Sequence, residues 1–263
     1  MEFLARVNPK YLAAISLFAA KNDVRYYLNG VSIEPHPDGG AVIVATDGRR
    51  LAAIHDPEGM ATKKLIIETP APELMKALKM KSYQKFLKPE SCWIAERCAV
   101  VTWDGFEKTN GGQKIVPEPF GTNAIVTAKI QLIDAKYPDW RRLMPTERSE
   151  KIESLPAVNP KYLGDLNAAA EILGIKYPCV RLEGRGETLS VIARMHAGDL
   201  LDRFIGIIMP MKADPIPTIL PSWLTPELKP KKPRVKVRGG ELVIGGDMEA
   251  AQTCPVEEAA QAA

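Results

Sequence analysis

The side chains that most often carry chemistry are sparse and scattered in this sequence. Four cysteines, Cys92, Cys98, Cys179 and Cys254, have no C-x-x-C spacing, and the three histidines, His36, His55 and His196, stand singly. A zinc site draws its ligands from grouped positions, so no metal is expected. The carboxylates Asp47, Asp104 and Asp139 sit in turn or rim contexts with no paired acid, metal-ligand spacing or nucleophile motif beside them. The expectation is a non-enzymatic protein with no catalytic residue and no cofactor. The residue types do suit binding. In AVIVATDGRRLAAI, from Ala41 to Ile54, Arg49 and Arg50 follow an Asp47-Gly48 turn and precede Leu51, so that a charged rim adjoins an apolar floor.

Two short apolar strands joined at Asp47-Gly48 would position those residues, because Asp-Gly supplies the positive φ angles of a tight hairpin. Before them, Glu2 to Val7 reads as a strand, and Asn8-Pro9 opens a helix with asparagine at the N-cap and proline at the first helical position. Leu12, Ile15 and Ala19 continue its apolar face to an end near Lys21-Asn22, and Val24 to Glu34 reads as a strand. A second unit of the same order begins at Lys64. It has strand KLIIE, helix APELMKALK, strands at Cys92 to Ala95 and Ala99 to Trp103, a loop from Gly105 to Phe120, and strands from Ala124 to Ile133.

A third unit shows that the chain is internally repeated. The hexapeptide Val-Asn-Pro-Lys-Tyr-Leu occurs at 7–12 and again at 158–163, each time opening an amphipathic helix. Strands follow from Cys179 to Glu183 and Thr188 to Arg194, and FIGIIMPM closes the unit. Repeated strand-helix-strand units whose strands pair into antiparallel sheets belong to the α+β class. After Met211 a proline-rich stretch reads as a linker or a clasp. RVKVRGGELVI could form a short hairpin about Gly239-Gly240, and Met248 to Ala263 reads as disordered.

The chain has 263 residues, enough for a real core, and a net charge of +3 with pI near 8.6, an excess too small to imply a polyanionic partner by itself. The most basic stretch is the second helix, where Lys76 and Lys79 lie opposite Leu74, Met75 and Leu78. That face is either simply solvated or neutralises phosphates without reading bases. No apolar run reaches transmembrane length and no signal peptide stands out, so a cytoplasmic protein without membrane contact is expected.

Four separated stretches resemble signatures of the bacterial DNA polymerase III beta subunit, the sliding clamp: DVRYYLNG at 23–30, VATDGRRLA at 44–52, YPDWRRLMP at 137–145 and IIMPM at 207–211. They resemble its middle and last domains, in the family's order, and cover about residues 1–211. The resemblance implies a DNA-clamp fold with antiparallel sheets outside and helices inside. It also implies double-stranded DNA held without sequence specificity, and DNA polymerase and clamp-loader-type proteins docked through short peptide motifs.

Carried over position by position, the peptide pocket would be lined by Thr46, Gly48, Arg49, Arg50 and Leu51, by Pro145, and by Ile207, Ile208, Met209, Pro210 and Met211. Arg49 stands where the family commonly has histidine. Arg25, Tyr26 and Tyr27 match positions associated with template contact, although one of the two tyrosines could instead lie in the core. Lys76, Lys79 and Lys10 are our own candidates for the lining of the hole.

The chain departs from the family in size. Residues 1–145 read as a complete clamp-like domain of two half-repeats, 146–213 as a clamp-like half-domain, and 214–263 as a tail with no counterpart. An odd half-domain leaves a helix and a sheet edge needing cover, by self-association into a homo-oligomer or by the tail, whose Ile216, Ile219, Leu220, Trp223 and Leu224 could fold back. Two readings follow. One is a shortened processivity clamp of a bacterial or phage-infected cell. The other is a peptide-binding adaptor that does not encircle DNA and competes with a host clamp.

Overall fold

A computed structural model describes residues 2–81, 88–103, 124–144, 156–184, 189–212, 235–238 and 241–244. The chain divides into two units, Met1–Ala213 and Asp214–Ala263. In chain order the first contains β1 (Phe3–Val7), α1 (Pro9–Ser16), β2 (Gly30–Pro35), β3 (Ala41–Thr46), β4 (Arg50–Asp56), β5 (Met60–Ala61) and β6 (Leu65–Glu68). Then come α2 (Pro72–Leu78), β7 (Pro89–Ala95), β8 (Cys98–Trp103), β9 (Ala124–Lys129), α3 (Pro160–Leu173), β10 (Val180–Glu183), β11 (Val191–Met195), α4 (Leu200–Arg203) and β12 (Phe204–Ile208).

The repeated hexapeptide builds the same local structure twice. Asn8 Oδ1 accepts the Lys10 N–H at 3.0 Å at the start of α1, and Asn159 Oδ1 accepts the Lys161 N–H at 3.0 Å at the start of α3. In both, the proline occupies a first-turn position whose missing N–H costs nothing. The ends differ. α3 runs to Gly174, whose φ of 81° supplies a left-handed cap, whereas α1 stops at Ser16 instead of the expected Lys21-Asn22. The Ser16 hydroxyl donates back to the Leu12 carbonyl at 2.6 Å, and the chain tightens so that Phe18 turns inward against Phe204. Asn22 does adopt a left-handed φ of 56°.

The stretch expected as one strand from Val24 to Glu34 is instead a 3₁₀ turn, Tyr26–Asn29, followed by β2. Local bonds outcompete an extended backbone there: the Asp23 N–H donates to Asn29 Oδ1 and Asn29 Nδ2 donates to the Asp23 carbonyl, both at 2.9 Å.

Among the described residues all strand pairs are antiparallel. One sheet has the order β5-β1-β7-β8-β9, and the other β10-β11-β12-β4-β3-β2-β6. The first two repeats exchange their leading strands: β1 pairs with β7 of the second repeat, and β6 pairs with β2 of the first. The half-repeat at 156–212 does not stand apart. β12 pairs along β4, with Ile207 opposite Leu51 and Ile208 opposite Arg50, and α3 packs on α1. The chain itself thereby covers the β12 edge and one face of α3, while β10 remains the outer edge of the seven-stranded sheet.

The main core gathers Leu12 and Ile15 of α1, Leu74 and Leu78 of α2, Leu166 and Ala170 of α3, and inward residues of both sheets such as Ile43, Ile54, Cys92 and Val101. A second cluster lies on the other face of the seven-stranded sheet, where Val42, Val44, Leu51, Ala53 and Ile207 meet Tyr137 and Trp140. Strand β3 is therefore buried on both faces, which explains a continuous apolar run in place of alternation. Buried Glu34 anchors the covering segment: its carboxylate contacts Arg141 Nη1 at 2.6 Å and Lys64 Nζ at 3.2 Å, and accepts from Trp140 Nε1 at 3.3 Å.

In the second unit β13 (Val235–Arg238) and β14 (Glu241–Ile244) pair antiparallel, Arg238 opposite Glu241, on either side of Gly239-Gly240. The proline-rich stretch, its five apolar residues and the segment after Met248 lie outside the described residues. Among the described residues no helix is long and apolar enough to cross a membrane, and no group of three or more His, Cys, Asp or Glu side chains could hold a metal ion.

Burial pushes the Cys92 thiol up to about 12, while Cys179 is exposed. Among the described cysteines only the Cys179 sulfur is accordingly open to a reagent. In a Cys254→Ser background, a maleimide is expected to label Cys179 within minutes and Cys92 only on unfolding. Mass spectrometry finding Cys92 labelled first in folded protein would contradict this packing.

Candidate partner-binding seam

The seam begins at the β3–β4 turn. Only Gly48 takes the left-handed region there, with φ 83°, while Asp47 serves through its side chain. Asp47 Oδ1 accepts the N–H groups of Arg49 at 2.8 Å and Arg50 at 2.9 Å. Thr46 Oγ1 donates to the Arg50 carbonyl at 2.7 Å and accepts the Gly48 N–H at 3.0 Å. The turn is thus fixed by its own polar groups, with Gly48 and Arg49 exposed at its tip.

The opposite wall comes from the end of β12. The Met209 N–H donates to the Arg49 carbonyl at 2.9 Å, and the Met211 N–H to the Ala157 carbonyl at 2.8 Å. Ile207 and Ile208 are buried, one in each core. Met209 and Pro210 are half-buried, and the Met211 side chain is 51% exposed. Stretches lying 160 positions apart, as Arg49 and Met209 do, thus become neighbouring backbone. Leu51 pairs with Ile207 beneath them and is itself only 2% exposed. Pro145 lies outside the described residues, and Met144, just before it, packs on the second cluster.

Arg50 does not join an exposed rim. It is 7% exposed, its Nε pairs with Asp47 Oδ2 at 3.1 Å, its Nη2 donates to the Leu17 carbonyl at 3.0 Å, and its Nη1 pairs with Asp165. The guanidinium lies 5.2 Å from the Phe18 ring centroid and 5.0 Å from that of Tyr162. Planarity and five donors in a fixed fork suit arginine to this position, where a lysine could satisfy neither both carboxylates nor both rings. Arg50 therefore clasps β4, the turn after α1, and α3 together, which leaves Arg49 as the exposed arginine of the turn itself.

Asp165 was not singled out in the sequence, yet a signal was present. By the hexapeptide register Asp165 corresponds to Ala14 of α1, so a carboxylate interrupts the apolar face of the repeated helix between Tyr162 and Leu166. A charge at such a position calls for a buried partner.

Arg25 and Tyr27 also belong to the seam. A Cβ placed on Gly48 would meet Arg25 Nη2 at 3.0 Å, so the guanidinium lies over the turn. Asp23 holds it there, Oδ2 to Nη2 at 2.9 Å and Oδ1 to Nε at 3.0 Å, and these bonds lower the Asp23 carboxyl to about 2. Tyr27 packs on the cluster containing Leu51 and Ile207, whereas Tyr26 is 57% exposed. The two tyrosine rings meet edge to face at 6.0 Å. Residues assigned separately to DNA and to peptide thus share one surface.

The lysines divide differently. Lys76 and Lys79 are exposed along α2. Lys10 is half-buried, with its ammonium 3.7 Å from the Cβ position of Gly174 at the C-terminal end of α3, where a cation is favoured by the helix dipole. α1 itself is buried along most of its length between its neighbours, so α2 and α3 present the exposed helix faces.

No family model matches the sequence, and no curated protein matches it. Solved structures do. A DNA polymerase sliding clamp from Pseudomonas aeruginosa with ligand superposes on 80% of this chain and 66% of its own, with TM-score 0.53 and 18% identity. A sliding clamp (DNA polymerase III subunit beta) from Bartonella birtlesii bound to griselimycin covers 81% and 67%, with TM-score 0.52 and 16% identity. The DNA polymerase III beta chain from Streptococcus pneumoniae covers 81% and 66%, with TM-score 0.52 and 14% identity. The chain has the fold of the bacterial sliding clamps and spans about two thirds of their length.

Proposed function

We propose that this clamp-folded chain is a non-catalytic DNA-replication factor that docks partner peptides at the β4–β12 seam and contacts duplex DNA without reading sequence. The observation that carries the reading is the meeting of TDGRRL with IIMPM. It sets exposed Met211 and half-buried Met209 and Pro210 beside the Arg49 tip, over a floor that includes Tyr27. Methionine adapts to more than one apolar anchor, and the arginines beside it can hold a peptide's carbonyls or carboxylates. Polymerase and clamp-loader-type proteins carrying short apolar motifs are the partners this chemistry fits, in a bacterial or phage-infected cytoplasm.

For DNA we assign the exposed lysines Lys76 and Lys79, with Arg25 and Tyr26 as exposed contacts beside the seam and Lys10 as a weaker, partly shielded one. Because such contacts act by releasing counterions, affinity should fall steeply with salt. For two or three phosphate contacts, going from 50 to 200 mM salt should cost roughly one to two powers of ten. Fluorescence anisotropy on two unrelated duplexes checks this, and a flat salt response or a strong sequence preference would refute it.

Encirclement is a separate matter, because one domain and a half per chain form a ring only in a homo-oligomer. The adaptor reading gains from the half-repeat being docked within its own chain and from α1 being shielded. Light scattering with and without nicked circular DNA separates the two. A ring former gives a multimer retained on circles and lost on linearisation, and an adaptor gives a monomer indifferent to topology.

A further inference from the structure

We infer a second docking surface, distinct from the seam: a groove that takes an acidic extended peptide with aliphatic anchors. It lies at β6, the far edge of the seven-stranded sheet, three strands from β4, and has a volume of about 1030 Å³. Its floor is aliphatic, from half-buried Ile130, Leu132 and Ile133. The segment carrying them is bonded to β6, with the Ile133 N–H on the Ile66 carbonyl at 2.8 Å and the Glu68 N–H on the Gln131 carbonyl at 2.9 Å. Antiparallel alternation then turns the N–H and C=O of Leu132 away from β6, the direction from which an added extended chain would bond.

Charge selects the occupant. Five basic side chains and three acidic ones line the groove. Two of the basic ones are committed, Lys64 to Glu34 at 3.2 Å and Arg142 to Asp139 at 2.9 Å. Lys63, Arg97 and Lys136 are exposed and, among the described residues, enter no ion pair. A peptide whose carboxylates meet these three while alternate aliphatic side chains enter the floor satisfies both features. Nucleic acid fits less well, because Glu96 and Asp134 stand in the same rim, and a peptide's carboxylates can be spaced to meet the three cations and avoid these two acids whereas a uniformly charged phosphate backbone cannot. The one aromatic lining residue, Tyr137, is buried in the second cluster, so no ring is offered for base stacking.

The test is selection of a displayed random ten-residue peptide library on the full chain, with binding of the enriched peptides then measured by anisotropy. Enriched peptides should alternate Asp or Glu with Leu, Ile or Val. They should bind Met211→Ala, a seam variant, as tightly as the parent, and lose about tenfold or more on the Lys63→Glu, Arg97→Glu, Lys136→Glu triple variant. Each single reversal should cost a share of that loss, so a folding defect in the triple variant would not decide the outcome. Failure to enrich acidic peptides, or their undiminished binding to every reversal, overturns the proposal. So does their loss on Met211→Ala alone, which would send them to the seam. Displacement by a single-stranded oligonucleotide at equal concentration would assign the groove to nucleic acid instead.

Discussion

Replacing Arg50 by methionine is expected to cost about 3–5 kcal/mol of folding stability, the penalty for breaking a buried ion pair by removing one partner. The physical reason is the set of groups left behind. Asp47 and Asp165 would keep their charges in a largely enclosed place, the Leu17 carbonyl would lose its donor, and Phe18 and Tyr162 would face a void between them. Against a typical stability of about 5–15 kcal/mol this is a large fraction. Urea unfolding reads the loss directly. Arg50→Lys should recover little, since a single ammonium cannot reproduce the fork. Pairing Arg50→Met with Asp165→Asn should recover part of the loss, and that recovery distinguishes the ion pair from packing alone. A single variant within about 1 kcal/mol of the parent would show that the clasp does not hold α3 to β4.

Met211→Ala should produce the largest loss of partner binding that leaves the fold intact. Half of its surface is open to solvent while its N–H is held by Ala157, so truncation removes contact area for a ligand and little internal packing. A buried methionine side chain is worth roughly 1.5–3 kcal/mol, so a peptide with a leucine or phenylalanine anchor should bind about tenfold or more weakly. Duplex affinity and the urea midpoint should not move. Leu51→Ala, although it lies on the same seam, is no substitute. Leu51 is a core residue opposite Ile207, and its truncation should cost about 2–5 kcal/mol of stability before any peptide is added. An unchanged peptide affinity in Met211→Ala would remove the seam as the docking site.

The two variants probe different layers of one structure. Arg50 lies below the surface and joins the half-repeat to the first domain, while Met211 lies above it. A peptide held between Arg49 and Met211 would bear on a turn whose closing residue is Arg50. Docking strength and the α3 attachment should therefore be coupled, and a weakened clasp should show as a faster peptide off-rate.

Much of this protein was legible in its sequence because the deciding interactions are short. Asn8 and Asn159 cap helices through bonds to residues two positions away, Gly48 and Gly174 take conformations other residues resist, and the spacing of Leu74 and Leu78 puts both on one face of α2. The hexapeptide repeat exposed the duplicated architecture, and short apolar runs between turn residues located most strands. The tertiary structure decided what depends on partners far along the chain. Arg50 reads as a rim residue until Asp165, 115 positions later, is brought beside it. Tyr27 reads as a nucleic-acid contact until the 3₁₀ turn packs it on the cluster that contains Leu51 and Ile207. The β12 side of the half-repeat reads as open until β12 aligns with β4. Local propensity acts over a few residues, whereas burial of a charge or a sheet edge is settled by whichever distant surface arrives to cover it.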